Sequence, residues 1–107
     1  MLEVKKARLE KLLMQEIAEL VLRALQDPRL EGVVITHVEL SPDLWNAKVY
    51  FTTLTEGREQ EAGKALEQAK PYIRSLLSRS LRTKRLPELH FVFDRELKRM
   101  ERIWERL

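Results

Sequence analysis

The chain contains no cysteine. That excludes a disulfide framework, a thiolate zinc site and a cysteine nucleophile together, and it fits a reducing compartment. Histidine and aspartate are scarce, with only His37 and His90 and only Asp27, Asp43 and Asp94. Two histidines on separate strands are too few ligands to hold a metal. The three aspartates fall at turns or helix starts, where a carboxylate caps backbone N–H groups. No constellation for catalysis emerges, so the expectation is a protein that is not an enzyme and carries no cofactor. No apolar run reaches the roughly 18 residues of a membrane-spanning helix. The opening MLEVKKARLEKLL has neither a separate apolar signal core nor a small-residue cleavage site. A cytoplasmic protein away from membranes is the expectation. Glycine is confined to Gly32, Gly57 and Gly63, and no acidic residue lies between Glu67 and Glu88.

What is present fits one domain. The 107 residues, 44% hydrophobic and 35% charged, are enough for a packed core and argue against global disorder. The net charge is only +3, but the acid-free stretch holds Lys70, Arg74, Arg79, Arg82, Lys84 and Arg85, which leaves 14 basic and 17 acidic residues elsewhere. A mildly acidic body with one concentrated basic segment favours a localised anionic partner over general stickiness. Ser75, Ser78, Ser80 and Thr83 interleave with these cations and add hydroxyls suited to phosphate or 2′-hydroxyl bonds. The bland alternative is a solvated helix face followed by a basic loop.

The spacing of Leu9, Leu12, Leu13, Ile17, Leu20, Val21 and Ala24 predicts an amphipathic helix over 4–26, stopped by Gln26-Asp27-Pro28. Residues 33–40, VVITHVEL, read as a strand. Residues 41–46, SPDLWN, carry turn chemistry. Residues 47–53, AKVYFTT, read as a second, antiparallel strand with Ala47, Val49 and Phe51 on one face. Ala62, Ala65, Leu66, Ala69, Ile73, Leu76, Leu77 and Leu81 then keep helical spacing, but Pro71 cannot donate to the carbonyl of Glu67. Two helices are therefore expected, about 57–69 and 71–82, meeting at a kink at Ala69-Lys70-Pro71. LHFVF over 89–93 alternates as a third strand. The charged segment from 94 onward carries Leu97, Met100, Trp104 and Leu107 on one stripe of a possible last helix.

The order helix, strand, strand, helix, kink, helix, strand describes an α+β layer, three helices packed on one face of a three-stranded sheet. From 47 to 93 the connectivity is that of a KH nucleic-acid-binding module, and the added helix and strand make it the bacterial form. A KH module grips nucleotide backbone with a GXXG loop between its paired helices. Here that junction has no glycine, so the clamp is missing. What remains is a kinked pair with cations on its second arm, which suits shape and phosphate recognition better than base reading.

With these residues in view, the chain resembles the bacterial ribosome-binding factor A family along nearly its whole length. The resemblance is carried by Asp27-Pro28-Arg29-Leu30 with Gly32, Val34-Ile35-Thr36, Val38-Glu39-Leu40-Ser41, Asp43-Leu44 and Ala47-Lys48-Val49-Tyr50. Further on come Tyr72-Ile73-Arg74, Leu81-Arg82, Pro87-Glu88-Leu89 with Phe91 and Asp94, and Arg102-Ile103. The family has an Ala-X-Gly kink in place of GXXG. Here Ala69 and Lys70 hold the first two positions and Pro71 takes the glycine's place, which also breaks the helical ladder but adds bulk and removes an N–H. In the tail, Glu96 and Lys98 stand where the family often has Ser and Glu. The resemblance implies a KH-like domain over 1–94 with a charged tail over 95–107, acting as a monomer. It also implies a non-enzymatic assembly factor that binds 16S ribosomal RNA in free, immature small (30S) subunits. Late 16S maturation, cold adaptation and release by a ribosome-associated GTPase follow from the same likeness.

The RNA candidates are Lys70, Arg74, Arg79, Arg82, Lys84 and Arg85, as cations that neutralise and position a phosphate backbone. Arg29 suits a turn anchor and is kept as a contact by the resemblance; Lys48 projects from a strand. Lys5, Lys6 and Arg8 are weaker candidates. Trp45 in the hairpin turn suits equally a surface that stacks on a base or a ribosomal protein and one that packs over the sheet edge. The competing class is a pure protein-interaction module that docks through the N-terminal helix. It requires partner binding to survive reversal of the basic arm.

Overall fold

A computed structural model describes residues 2–81 and 85–95. The elements run α1 (Leu2–Arg23), a single 3-10 turn at Pro28–Leu30, β1 (Val33–Leu40), β2 (Asn46–Thr53), α2 (Glu59–Ser80) and β3 (Glu88–Phe93). Asp27 starts the 3-10 turn by accepting the backbone N–H of Arg29 at 2.9 Å, with Pro28 in the first position, where a missing donor costs nothing. Gly32 follows at φ +81°. The left-handed backbone there lets the chain swing into β1, with the Gly32 carbonyl accepting the N–H of Leu54 at 2.9 Å.

The sheet has the order β1-β2-β3. β1 and β2 are antiparallel and joined by the short 41–45 turn, whereas β2 and β3 run parallel, so their connection must cross over and α2 supplies it. Both helices cover one face. Ile35, Val38 and Leu40 of β1, Ala47, Val49 and Phe51 of β2 and Leu89 of β3 are buried against Leu13, Ile17 and Val21 of α1 and Ala62, Ala65, Leu66, Ile73 and Leu77 of α2. The outer face carries His37, Glu39, Lys48 and His90, all exposed, beside half-buried Tyr50. The free edge of β1 is partly closed by α1, whose Glu10 carboxylate accepts the N–H of Leu40 at 2.8 Å.

β1 is not regular. Ile35 pairs with Phe51 and His37 with Tyr50, so Thr36 is an extra residue without a partner opposite. This bulge shifts the alternation by one position. It is why Ile35 and Val38, three apart, both face the core.

The α+β sheet and its helix-covered face agree with the sequence reading, but the helix count does not. The expected pair at 57–69 and 71–82 is a single helix, Glu59–Ser80, with Pro71 inside it. Loss of the bond to the Glu67 carbonyl ordinarily costs about 3 kcal/mol in a helix interior. Here both Glu67 and Pro71 are exposed, so water can take the freed carbonyl. Residues on either side of the proline, Ala65 and Leu66 before it and Ile73 and Leu77 after it, are fully buried and hold both halves to the sheet. α1 ends at Arg23 rather than 26. The tail segment from 96 and the residues Arg82, Thr83 and Lys84 lie outside the described residues.

Candidate nucleic-acid interface

The cations singled out by sequence separate into two groups by what surrounds them. Arg29, Lys70 and Arg74 are braces. The Arg29 guanidinium chelates Asp27, with Nε 3.1 Å from each carboxylate oxygen and Nη2 2.6 Å from Oδ2, and also donates to Gln68 Oε1 at 2.7 Å. It therefore ties the turn after α1 to the middle of α2. Arg58 at the start of α2 completes the junction, donating to the Pro28 carbonyl at 3.1 Å. Lys70, whose side chain is only 18% exposed, pairs with Glu67 at 2.8 Å and sits 5.9 Å above the ring of Phe91. Arg74 donates to the Pro87 carbonyl and has Glu88 at 4.0 Å, so it fixes the entry to β3 against α2.

The second group is presented to solvent. Arg79 is exposed in the last turn of α2 and makes no hydrogen bond or ion pair among the described residues. Its charge suits that end of a helix, where unpaired carbonyls gather. The outward stripe of α2 beyond Glu67 consists of Gln68, Pro71, Tyr72, Ser75, Ser78 and Arg79, all exposed. No acid interrupts it. The stripe offers an aromatic ring, hydroxyls and a terminal cation, which matches a phosphodiester chain better than a protein surface rich in its own cations. Ser78 returns its hydroxyl to the Ser75 carbonyl at 2.7 Å. Arg85 lies face-on to Trp45, its guanidinium carbon 3.4 Å from the ring centroid. Lys48 is exposed on the outer sheet face, in register between Glu39 of β1 and His90 of β3, so Glu39 offsets part of its charge. His90 is hydrogen-bonded to Asn46 at 2.9 Å and His37 stacks obliquely on Tyr50 at 5.9 Å. The two imidazoles are thus engaged with separate neighbours.

Sequence reasoning set Lys70 at the kink and the other five cations of the acid-free stretch beyond it; the structure holds Lys70 and Arg74 in internal contacts and exposes Arg79 and Arg85, while Arg82 and Lys84 lie outside the described residues. The Arg85–Trp45 contact was missed, because the two residues are 40 positions apart and nothing in either neighbourhood signals the other.

Two carboxylates in these turns are held below their ordinary pKa of 3.8. For Asp27 the cause is first the Arg29 side chain and then the Arg29 backbone N–H. For Asp43 it is first the Ser41 hydroxyl, then the Trp45 N–H, with Arg85 adding a smaller attraction. A depressed pKa in the folded state means stabilisation present above the ordinary value and lost as pH falls through the folded one. Asp27→Asn should therefore lower the melting temperature at about pH 7, and the gap from the unchanged protein should narrow as the pH falls below the ordinary 3.8. Paired melts across that range check it; an equal gap at both ends would show that Asp27 acts without its charge.

With the geometry described, comparison with known proteins gives a consistent result. The family model described as Ribosome-binding factor A matches residues 5–107. A Thermomicrobium roseum protein named Ribosome-binding factor A is 45% identical over 100 residues, covering 92% of this chain and 78% of that one. Its counterpart from Thermodesulfovibrio yellowstonii is 41% identical over 96 residues, covering 90% and 81%. The crystal structure of ribosome-binding factor A from Thermus thermophilus is similar with a TM-score of 0.76 at 38% identity, covering 82% of this chain and 93% of that one. A Thermus thermophilus homology model fitted into the cryo-EM map of a 30S–RbfA complex is similar at a TM-score of 0.72 and 37% identity, covering 85% and 97%.

Proposed function

Because the chain belongs to the ribosome-binding factor A family, we propose that it binds the small ribosomal subunit as a non-enzymatic assembly factor, contacting 16S ribosomal RNA in free, immature subunits. It assists late 16S maturation, matters most in the cold, works in the cytoplasm as a monomer, and is released with the help of a ribosome-associated GTPase. The observation that carries this reading is the acid-free stretch between Glu67 and Glu88, whose described cations include the exposed Arg79 and Arg85, on a chain whose relative has been fitted into a 30S complex.

The contact is electrostatic and makes or breaks no covalent bond. Arg79, with Arg82, Lys84 and Arg85 after it, neutralises phosphates and releases their counterions, while the α2 stripe supplies hydroxyls for positioning. Lys48 is a further contact from the sheet. Arg29, Lys70 and Arg74 keep α2, the turn at 28–30 and the start of β3 in fixed relation, so their effect on RNA is to hold the surface in shape.

Sucrose-gradient sedimentation of a lysate at two salt concentrations tests the reading. Co-migration with free small subunits at about 50 mM salt, weakened by an order of magnitude or more at about 200 mM, is expected from several phosphate contacts. Co-migration only with a soluble protein complex, insensitive to salt, would transfer the chain to the protein-interaction class.

A further inference from the structure

The turn between β1 and β2 holds an exposed indole more firmly than a surface turn requires. Ser41 accepts the N–H of Leu44 on its carbonyl at 2.9 Å and the N–H of Asn46 on its hydroxyl at 3.0 Å. The same hydroxyl donates to Asp43 Oδ1 at 2.6 Å, and that oxygen also accepts the N–H of Trp45 at 3.0 Å. The Trp45 carbonyl accepts the N–H of Glu88 at 2.7 Å, which locks the turn to the start of β3. Leu44 sits at φ +65°, a left-handed conformation that residues with a side chain seldom adopt. The conformation sends the Leu44 side chain against the core while Trp45 remains 55% exposed. Strain maintained by so many bonds marks a position whose geometry is specified.

Arg85 supplies the second half. Its guanidinium covers one face of the indole at 3.4 Å from the centroid, so the ring's remaining exposure belongs to its edges and other face. We propose that Trp45, backed by Arg85, is a stacking platform for one unpaired base of single-stranded RNA. Every base has a π-face, so such a platform takes any sequence. Two carboxylates are near. Asp43 is held by the Ser41 hydroxyl and the Trp45 amide within the turn, and Glu88 lies 4.0 Å from Arg74, so both are offset internally. A protein partner would use the same indole as apolar area, without need of a flat π-face, and that difference decides the test.

The inference rests on the RNA-binding reading above, and the experiment separates the two. Trp104→Phe in the full chain leaves Trp45 as the sole indole. Its fluorescence is followed during titration with a mixed-sequence single-stranded RNA, the same strand carrying abasic sites, and a duplex. The single strand should quench Trp45, and the abasic strand and duplex should not. Trp45→Ala and Trp45→Leu should each weaken binding of the single strand roughly tenfold, and Trp45→Phe by less, with the slope of log affinity against log salt unchanged. A melt of Trp45→Phe checks that the turn still folds. If RNA binds with a steep salt slope but Trp45 emission is unmoved, or Trp45→Leu binds as the parent does, the platform fails and the RNA reading stands. If no RNA binds and a ribosomal protein quenches Trp45 instead, both fail.

Discussion

Reversing Arg79, Arg82 and Lys84 to glutamate together should abolish salt-sensitive association with small subunits while leaving the domain folded. Each phosphate contact contributes about 0.7–0.9 to the slope of log affinity against log salt, so losing three removes roughly 2–3 from that slope and about two orders of magnitude of affinity near 0.1 M salt. Arg79 is the described member of the three, exposed and without an internal partner among the described residues, so its reversal removes no bond from the fold. Arg74 is the control. Arg74→Glu loses the bond to the Pro87 carbonyl and brings a like charge toward Glu88, so it should lower the melting temperature. Sedimentation at several salt concentrations, with a melt of each variant, gives the answer. A triple reversal that still binds with an undiminished slope would remove this arm from the RNA.

This contrast also shows where sequence reasoning about the site ends. The uneven distribution of charge is a property of the linear chain, and it is visible there. Which cation is a brace and which is presented depends on partners distant in sequence. Arg29 meets Gln68 across 39 positions and Arg74 meets the Pro87 carbonyl across 13. A guanidinium beside a free backbone carbonyl and one beside water have the same sequence signature. Pro71 misled for a related reason. A proline removes one donor wherever it stands, but whether the rod divides depends on where the freed carbonyl points and on how firmly both flanks are buried. On α2 the proline faces solvent while Leu66 and Ile73 are at 0% exposure, and packing wins. Periodicity located all three strands because their β-branched and aromatic runs are bounded by turn residues. It could not see the bulge, because VVITHVEL offers apolar residues to both faces at once.

The bulge makes the second large prediction. Without Thr36 the strand reads Val-Val-Ile-His-Val-Glu-Leu, and strict alternation then places Ile35, Val38 and Leu40 on the same face. Deleting Thr36 should leave the core intact and cost about 1 kcal/mol, the hydrogen bond its hydroxyl gives to Asp94 Oδ2 at 2.8 Å. Deleting Glu39, three residues along the same strand and exposed where Thr36 is half-buried, should behave differently. To keep Ile35 and Leu40 inside, the shortened strand must turn His37 inward and Val38 outward. Exposing a buried valine costs about 1.5–3 kcal/mol, and an imidazole buried without partners costs about 1–3 kcal/mol more. The sum, roughly 2.5–6 kcal/mol, is a large part of the roughly 5–15 kcal/mol that holds a domain of this kind together. Denaturant unfolding of the two deletion variants distinguishes the cases, since neither changes the charge arm at the end of α2. Equal losses would mean that Thr36 is needed to shape β1 and is not an inserted residue. A negligible loss from the Glu39 deletion would mean that Val38, at 1% exposure, contributes little where it is most buried.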